Sequence, residues 1–142
     1  SYSVNTRLQE YQIPIETIHD GSFLSPEVLS VPLNSFANEP FIILRSDNDT
    51  GKRALTICQE NNFTPHTIFR LDQQMTAYNI ACSGMGITFI GDLLLASAPA
   101  TSELIFYKLP GKNCNRNVSF YWKKGRYISR AMEEFLKIAL PQ

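Results

Sequence analysis

Residues 75–90, Met75-Thr-Ala-Tyr-Asn-Ile-Ala-Cys-Ser-Gly-Met-Gly-Ile-Thr-Phe-Ile90, form a helical pattern that runs through two glycines directly into an apolar segment. Apolar residues recur at helical spacing up to Ala81, and Gly84 stands where helices commonly end with a left-handed residue. The segment that begins at Ile87 has the length of a buried strand. The stretch therefore predicts a helix followed by a strand.

The residues before this stretch show the same alternation. Phe41-Ile-Ile-Leu44 is a short apolar run typical of a buried strand, and Asp47 to Asp49 can cap a helix that runs to about Glu60. A second strand is predicted at Thr67–Leu71, and Asp72 can cap the helix that follows it. Strands alternating with helices predict βαβ units over a mostly parallel sheet.

The pattern changes around Pro99. Residues 92–95 predict a brief helix, and residues 104–109 and 118–123 predict two strands joined by a loop. The aromatic run 120–122 alternates like a half-buried strand, so core packing is expected for it and for Met85 and Phe89. Ser129 can cap a last helix, whose apolar face comprises Ala131, Met132, Phe135, Leu136 and Ala139.

The first 38 residues show a weaker pattern. Asp20-Gly21 predicts a turn, and Pro32–Phe36 predicts a single helical turn. The sequence has no repeat and no linker that would divide it, and 44% of its residues are hydrophobic. A chain of this size can bury a substantial core, so one domain is expected.

Charge and hydropathy exclude several classes of protein. Thirteen basic and thirteen acidic residues give no net charge, so DNA binding by this chain alone is not expected. We interpret the basic cluster Lys123, Lys124, Arg126 and Arg130 as a solvated rim. No apolar run approaches the roughly 20 residues that span a bilayer, and Ser1 to Leu8 lack the layout of a signal peptide. These features predict a cytoplasmic protein without membrane contact.

The sequence contains no recognisable catalytic or metal-binding motif. The three cysteines, Cys58, Cys82 and Cys114, and two histidines lack the spacing of a zinc site. Cys58 and Cys82 fall on apolar helix faces, and Cys114 alone resembles a redox or nucleophilic thiol because its loop is polar and basic. We find no nucleophile elbow or phosphate-binding loop. The prediction is a protein that is not an enzyme and needs no cofactor or metal.

Polar residues follow two of the predicted strands. Ser46, Asp47, Asn48 and Thr50 precede one helix, and Asp72, Gln73 and Gln74 precede the next. Parallel strands end at the same sheet edge, where helix N–H groups and short polar side chains can hold an anion or carboxylate. Capping and loop polarity alone also account for such residues. The pattern thus leaves two readings open, a ligand site and a set of caps.

Four segments resemble the effector-binding domain of LysR-type transcriptional regulators. They are Glu39-Pro-Phe-Ile-Ile-Leu44, Thr50 to Phe63, the Gly84-Met-Gly-Ile87 segment, and Arg126-Tyr-Ile-Ser-Arg-Ala-Met-Glu-Glu-Phe135. Their order and spacing over residues 39–140 carry the resemblance. The first 38 residues match only loosely, and Gly91 stands where many members have proline.

The resemblance implies a periplasmic-binding-protein-like (type II) α/β lobe, with a mostly parallel sheet flanked by helices. Residues 1–123 would form the second effector lobe, and a C-terminal helix at 128–140 would belong with a first lobe absent from this chain. In the family, the sheet edge at the carboxyl ends of the parallel strands faces the cleft that holds a small-molecule effector. The predicted ligand-binding residues are Ser46, Asn48, Thr50, Gln73, Gln74, Ile87 and Thr88.

The resemblance also implies how such a chain works. It would bind a small effector, with an anion among the expected types, and would reach DNA only through an N-terminal helix-turn-helix that this chain lacks. The orphaned helix face would favour a homodimer or higher oligomer. Two alternatives remain: an extracytoplasmic solute-binding receptor of the same fold, and a small α/β enzyme that uses Cys114.

Overall fold

A computed structural model describes residues 3–98, 101–111, 114–115, 119 and 121–139 of the chain. In chain order the elements are α1 (Ser3–Arg7), β1 (Gln12–Ile13), α2 (Ile15–His19), β2 (Pro40–Leu44), α3 (Asp49–Glu60), β3 (His66–Leu71), α4 (Gln74–Cys82), β4 (Ile87–Thr88), α5 (Asp92–Leu95), β5 (Phe106–Tyr107) and α6 (Arg130–Ala139). Short 3₁₀ turns lie at Gln9–Tyr11, Ser22–Leu24 and Leu33–Phe36.

The described strands form two sheets. β3, β2 and β4 make a parallel sheet in that order, with β2 in the centre. β1 and β5 form a separate antiparallel pair, in which Gln12 lies opposite Tyr107. The expected parallel arrangement is therefore found in the larger sheet, while the antiparallel pair was not predicted.

The central strand β2 is buried on both faces. Phe41 and Ile43 belong to a core cluster that includes Ala54 and Ile57 of α3. Ile42 and Leu44 belong to another cluster, formed with two alanines of α4. Because successive strand residues point to opposite faces, α3 and α4 cover opposite sides of β2. This burial explains the continuous apolar run at residues 41–44.

Two glycines shape the passage from α4 to β4. Gly84 ends the helix as predicted, with a φ of 76°. At Gly86, an added Cβ would lie 2.9 Å from the carbonyl oxygen of Pro40 and 3.0 Å from the side chain of Ile42. Glycine thus allows β4 to start directly beside β2. Met85 lies between the two glycines in the turn and is 51% exposed, so the prediction that it is a core residue was wrong.

The third strand, predicted at residues 87–90, is shorter in the structure. β4 ends at Thr88, because the chain then leaves the sheet to begin α5 at Asp92. The ring of Phe89 stacks against that of Phe41 with centroids 5.9 Å apart, which confirms its place in the core. The brief helix at residues 92–95 was also predicted correctly.

The turns predicted in the first 38 residues are present. Gly21 has a φ of 78°, and the N–H of Ser22 donates to the carboxylate of Asp20 at 2.8 Å. The predicted helical turn before β2 is a 3₁₀ turn at Leu33–Phe36, and both of its end residues are buried in the core.

The second predicted strand after Pro99, at residues 118–123, lies partly outside the described residues. β5 lies within the first predicted run, 104–109. In the second run, Val118 and Phe120 lie outside the described residues, and the described residues 119 and 121–123 are not in a strand. Tyr121 is 91% exposed and Trp122 is 48% exposed, so the expectation that these two rings pack in the core was wrong.

The C-terminal helix α6 begins where Ser129 was expected to cap it. The Met132 N–H donates to the Ser129 hydroxyl at 3.3 Å. None of the helix residues is buried, and Phe135 is 53% exposed. The four cations at residues 123–130 are exposed, in agreement with a solvated rim. Within the described part of the chain, no helix has the length and apolar character needed to cross a bilayer.

Candidate functional site

The loops after β2 and β3 lie side by side at one edge of the parallel sheet. Leu44 pairs with Leu71 at the ends of the two strands, and the Arg45 N–H donates to the Leu71 carbonyl oxygen at 2.9 Å. One loop leads to the start of α3 and the other to the start of α4. The edge formed by residues 45–50 and 71–75, called the strand-end edge below, is therefore where the structure brings the two predicted polar groups together.

The first loop contributes both a cap and exposed polar groups. Asn48 is the N-cap of α3, and its side-chain oxygen accepts a hydrogen bond from the Thr50 N–H at 2.8 Å. This confirms that a residue of the 47–49 segment caps the helix. Ser46 is exposed and Thr50 is half-buried at the same edge. Asn48 thus has a structural role beside any contact with a ligand.

The second loop differs from its prediction. Gln73 is the N-cap of α4 without a side-chain capping bond, so the expectation that Asp72 caps this helix was wrong. The Asp72 carboxylate instead lies 3.6 Å from Nε of Arg45. Gln73 is exposed and Gln74, the first helical residue, is half-buried. Both glutamines remain at the edge, where they were expected.

Ile87 and Thr88 lie below the strand-end edge. Thr88 pairs with Ile42, two residues before the end of β2. Its hydroxyl donates to the Ile42 carbonyl oxygen at 2.9 Å, which fastens β4 to β2. Ile87 is partly buried against the core that contains Phe41. The structure therefore brings five of the seven predicted site residues to the edge and places these two within the sheet.

Sequence reasoning missed Arg45 as a site residue. Its Nε lies 3.6 Å from Asp72 and 3.9 Å from Asp47, so one guanidinium connects the two loops. The three side chains are 59%, 80% and 76% exposed, in the order Arg45, Asp72, Asp47. The available signal was a lone arginine directly after a buried apolar strand. Its partner across the sheet could not be identified from chain order.

Gly51 is the second residue that sequence reasoning missed. A Cβ at this position would collide with the carbonyl oxygens of Leu44 and Arg45. The first turn of α3 is therefore pressed against the end of β2. A glycine inside a helix costs about 1 kcal/mol relative to alanine, so its presence there signals a close backbone approach.

Two of the three cysteines, Cys58 and Cys114, have thiols whose pKa is raised by burial. Burial raises the pKa of the Cys58 thiol to about 12. Burial and the negative charge of Glu60 also raise the pKa of Cys114, whose thiol donates to the Pro110 carbonyl oxygen at 3.0 Å. A raised pKa favours the protonated, unreactive form. The geometry therefore does not favour the enzyme hypothesis based on Cys114.

Two surface grooves lie away from the strand-end edge. They have volumes of about 280 and 340 Å³ and share the β1 segment around Pro14. Neither is lined by any predicted site residue. The strand-end edge is instead an open surface whose polar groups come from two loops.

Comparison with known proteins assigns the domain. The family model described as the LysR substrate binding domain matches residues 23–142. The chain is 26% identical to the HTH-type transcriptional regulator YcgK of Bacillus subtilis over 77% of its own length and 33% of that protein. It is also 26% identical to the regulator YybE of the same organism, over 75% of the chain and 35% of that protein. No solved structure matches significantly.

Proposed function

Because the chain belongs to the LysR substrate-binding domain family, we propose that it senses a small-molecule effector at the strand-end edge and passes the signal to a DNA-binding domain. The family implies a periplasmic-binding-protein-like fold, with which the mixed α/β architecture is consistent. The family is described as a substrate-binding domain, and we propose that this chain binds a ligand without catalysing a reaction.

One observation carries the location of the site. The Arg45 N–H bond to Leu71 brings two polar loops and the starts of two helices to the same sheet edge. Open α/β sheets commonly bind ligands at the carboxyl ends of their strands. The predicted contacts at this edge are Ser46, Asn48, Thr50, Gln73 and Gln74. Thr88 and Ile87 support it from within the sheet.

The curated relatives are longer than the part of them that this chain matches. The chain spans about a third of the length of the two curated relatives, 33% and 35%. Both relatives are named HTH-type transcriptional regulators, so we place a helix-turn-helix elsewhere in the full protein and assign DNA contact to it. We therefore propose a cytoplasmic location for the regulator. The same names disfavour the alternative of an extracytoplasmic solute receptor.

The effector titration is the direct test of the site. We expect acetate or sulfate to bind with a dissociation constant on the order of millimolar, because an open half-cleft offers little contact area. Amide NMR signals of residues 46–50 and 71–75 should shift first, followed by those of 87–89. Shifts concentrated at residues 123–130 would place the site in the basic cluster and contradict the proposal.

We further propose that residues 1–123 form the second effector lobe and that the helix at 128–140 belongs with a first lobe. The observation that supports this division is the exposure of α6, none of whose residues is buried. An apolar helix face normally packs against another element. In the chain as given, a second copy can cover that face, which makes a homo-oligomer the expected state.

Sedimentation analysis tests this assembly. Phe135→Asp with Leu136→Asp should convert a dimer or larger species to monomer, because two carboxylates cannot be buried in an apolar contact at low cost. Lys137→Asp is the matched control, since this residue pairs with Glu134 on the polar side of the helix. A wild-type chain that stays monomeric at high concentration would contradict the proposal, as would an equal effect of the control.

A further inference from the structure

Among the ion pairs of the described residues, only those of Arg45 link both loops of the strand-end edge. We propose that Arg45 is the specificity-determining residue of the site and that the effector is a small zwitterion, such as an amino acid. The effector carboxylate would bind Arg45, and its cationic group would bind Asp47 and Asp72. This inference rests on the proposed function, because it concerns the same site.

The backbone of Arg45 is held in place although its side chain is exposed. Its N–H donates to Leu71, which ties it to β3. Its carbonyl oxygen lies against Gly51, where there is no room for a Cβ. The guanidinium therefore extends from a fixed point at the centre of the edge. Preorganisation of the backbone lowers the entropic cost of binding, and the two ion pairs keep the guanidinium between the loops.

The charges at this point favour a simple anion less than a zwitterion. Arg45 has two carboxylates near it, at 3.6 and 3.9 Å, so the group as a whole carries an excess negative charge. The neighbouring pair, Arg53 with Asp49 at 3.0 Å, adds no net charge. An acetate ion that reached Arg45 would also approach Asp47 and Asp72, and that repulsion reduces its attraction to the guanidinium.

A zwitterion avoids this conflict because it supplies a charge of each sign. Its carboxylate replaces Asp72 or Asp47 as a partner of Arg45, and its ammonium group compensates the carboxylate that has been displaced. Replacing one aspartate partner of Arg45 by the ligand carboxylate costs little free energy. Both Arg45 distances exceed the roughly 2.7–2.9 Å of a charge-assisted hydrogen bond, and exposed ion pairs contribute little to stability.

The experiment compares three probes of similar size on the 142-residue chain at constant ionic strength. Glycine, acetate and methylammonium are titrated separately, and the amide shifts of residues 45–50 and 71–75 are followed. We expect glycine to bind about two- to fivefold more tightly than acetate, the ratio that one additional exposed ion contact provides. Methylammonium should bind less tightly than glycine as well.

Two substitutions should then act in different directions. Arg45→Gln should weaken both glycine and acetate, whereas Arg45→Lys should retain part of the glycine affinity because it keeps the charge. Asp72→Asn should tighten acetate and weaken glycine, because it removes repulsion from one ligand and a partner from the other. Arg53→Lys is the matched control, because it keeps the positive charge beside Asp49, and it should leave the glycine-to-acetate ratio unchanged.

The outcomes separate this inference from the proposed function. If the edge signals shift but acetate binds as well as glycine, or if Asp72→Asn weakens both ligands equally, the charge selection is wrong and the site stands. If none of the three probes shifts residues 45–50 or 71–75, both the selection and the site are wrong. Retained chemical-shift dispersion in each variant establishes that its fold is intact.

Discussion

Phe41→Ala is expected to lower the free energy of unfolding by about 3–5 kcal/mol, a large part of the roughly 5–15 kcal/mol that stabilises a domain. The ring is 1% exposed and lies in the central strand β2. Its centroid is 5.9 Å from the ring of Phe63 and 5.9 Å from that of Phe89. Alanine would leave a cavity that these neighbours can only partly fill.

Urea unfolding followed by circular dichroism measures this loss. Phe69→Ala is the matched control, because it removes the same side chain from β3, where it is 36% exposed. The control should cost clearly less than Phe41→Ala, about 1–2 kcal/mol, since part of the Phe69 ring already contacts water. Equal losses in the two variants would mean that β2 is not the buried centre of the sheet.

The parts of the fold that the sequence predicted are those with a local signal. The run at residues 41–44 is continuous and apolar because α3 and α4 cover both faces of β2. Gly84 marks the end of α4 because its φ of 76° suits glycine. Asn48 caps α3 within the segment that offered three capping side chains.

The parts that were missed depend on contacts between distant residues. β5 pairs with β1, so Tyr107 lies opposite Gln12, and no local pattern identifies that partner. Apolar character alone also gave the wrong position for Tyr121 and Trp122, which are exposed in the described structure. Alternation indicates that one face of a strand is apolar, but it cannot tell what covers that face.

The candidate site was predictable to the same degree. Convergence of the two polar loops followed from the general geometry of parallel strands. The contact between Arg45 and Asp72 did not follow, because it depends on the register of β2 and β3. The register of β2 with β4 placed Thr88 beside Ile42, below the edge where it had been expected.

Gly51 links the stability of the fold to the geometry of the site. In the interior of an ordinary helix, glycine to alanine gains about 0.5–1 kcal/mol, because alanine loses less backbone entropy on folding. Here the new Cβ would collide with the carbonyl oxygens of Leu44 and Arg45, which are backbone atoms that cannot rotate away. Either α3 must move off the end of β2, or Arg45 must move with its loop.

We therefore expect Gly51→Ala to lower the free energy of unfolding by about 1–3 kcal/mol, the usual cost of overpacking. In an ordinary helix, the same substitution raises the free energy of unfolding. Gly91→Ala is the control, because nothing lies within 4 Å of its Cβ position and its φ of −83° suits any residue. Urea unfolding of both variants measures the difference. Because the collision involves the backbone of Arg45, Gly51→Ala should also shift the amide signals of residues 45–48 and weaken glycine binding. The control Gly91→Ala should change neither these amide signals nor the affinity for glycine. A Gly51→Ala variant as stable as the wild type would show that the first turn of α3 does not press on β2, and would remove the structural basis for a preorganised Arg45.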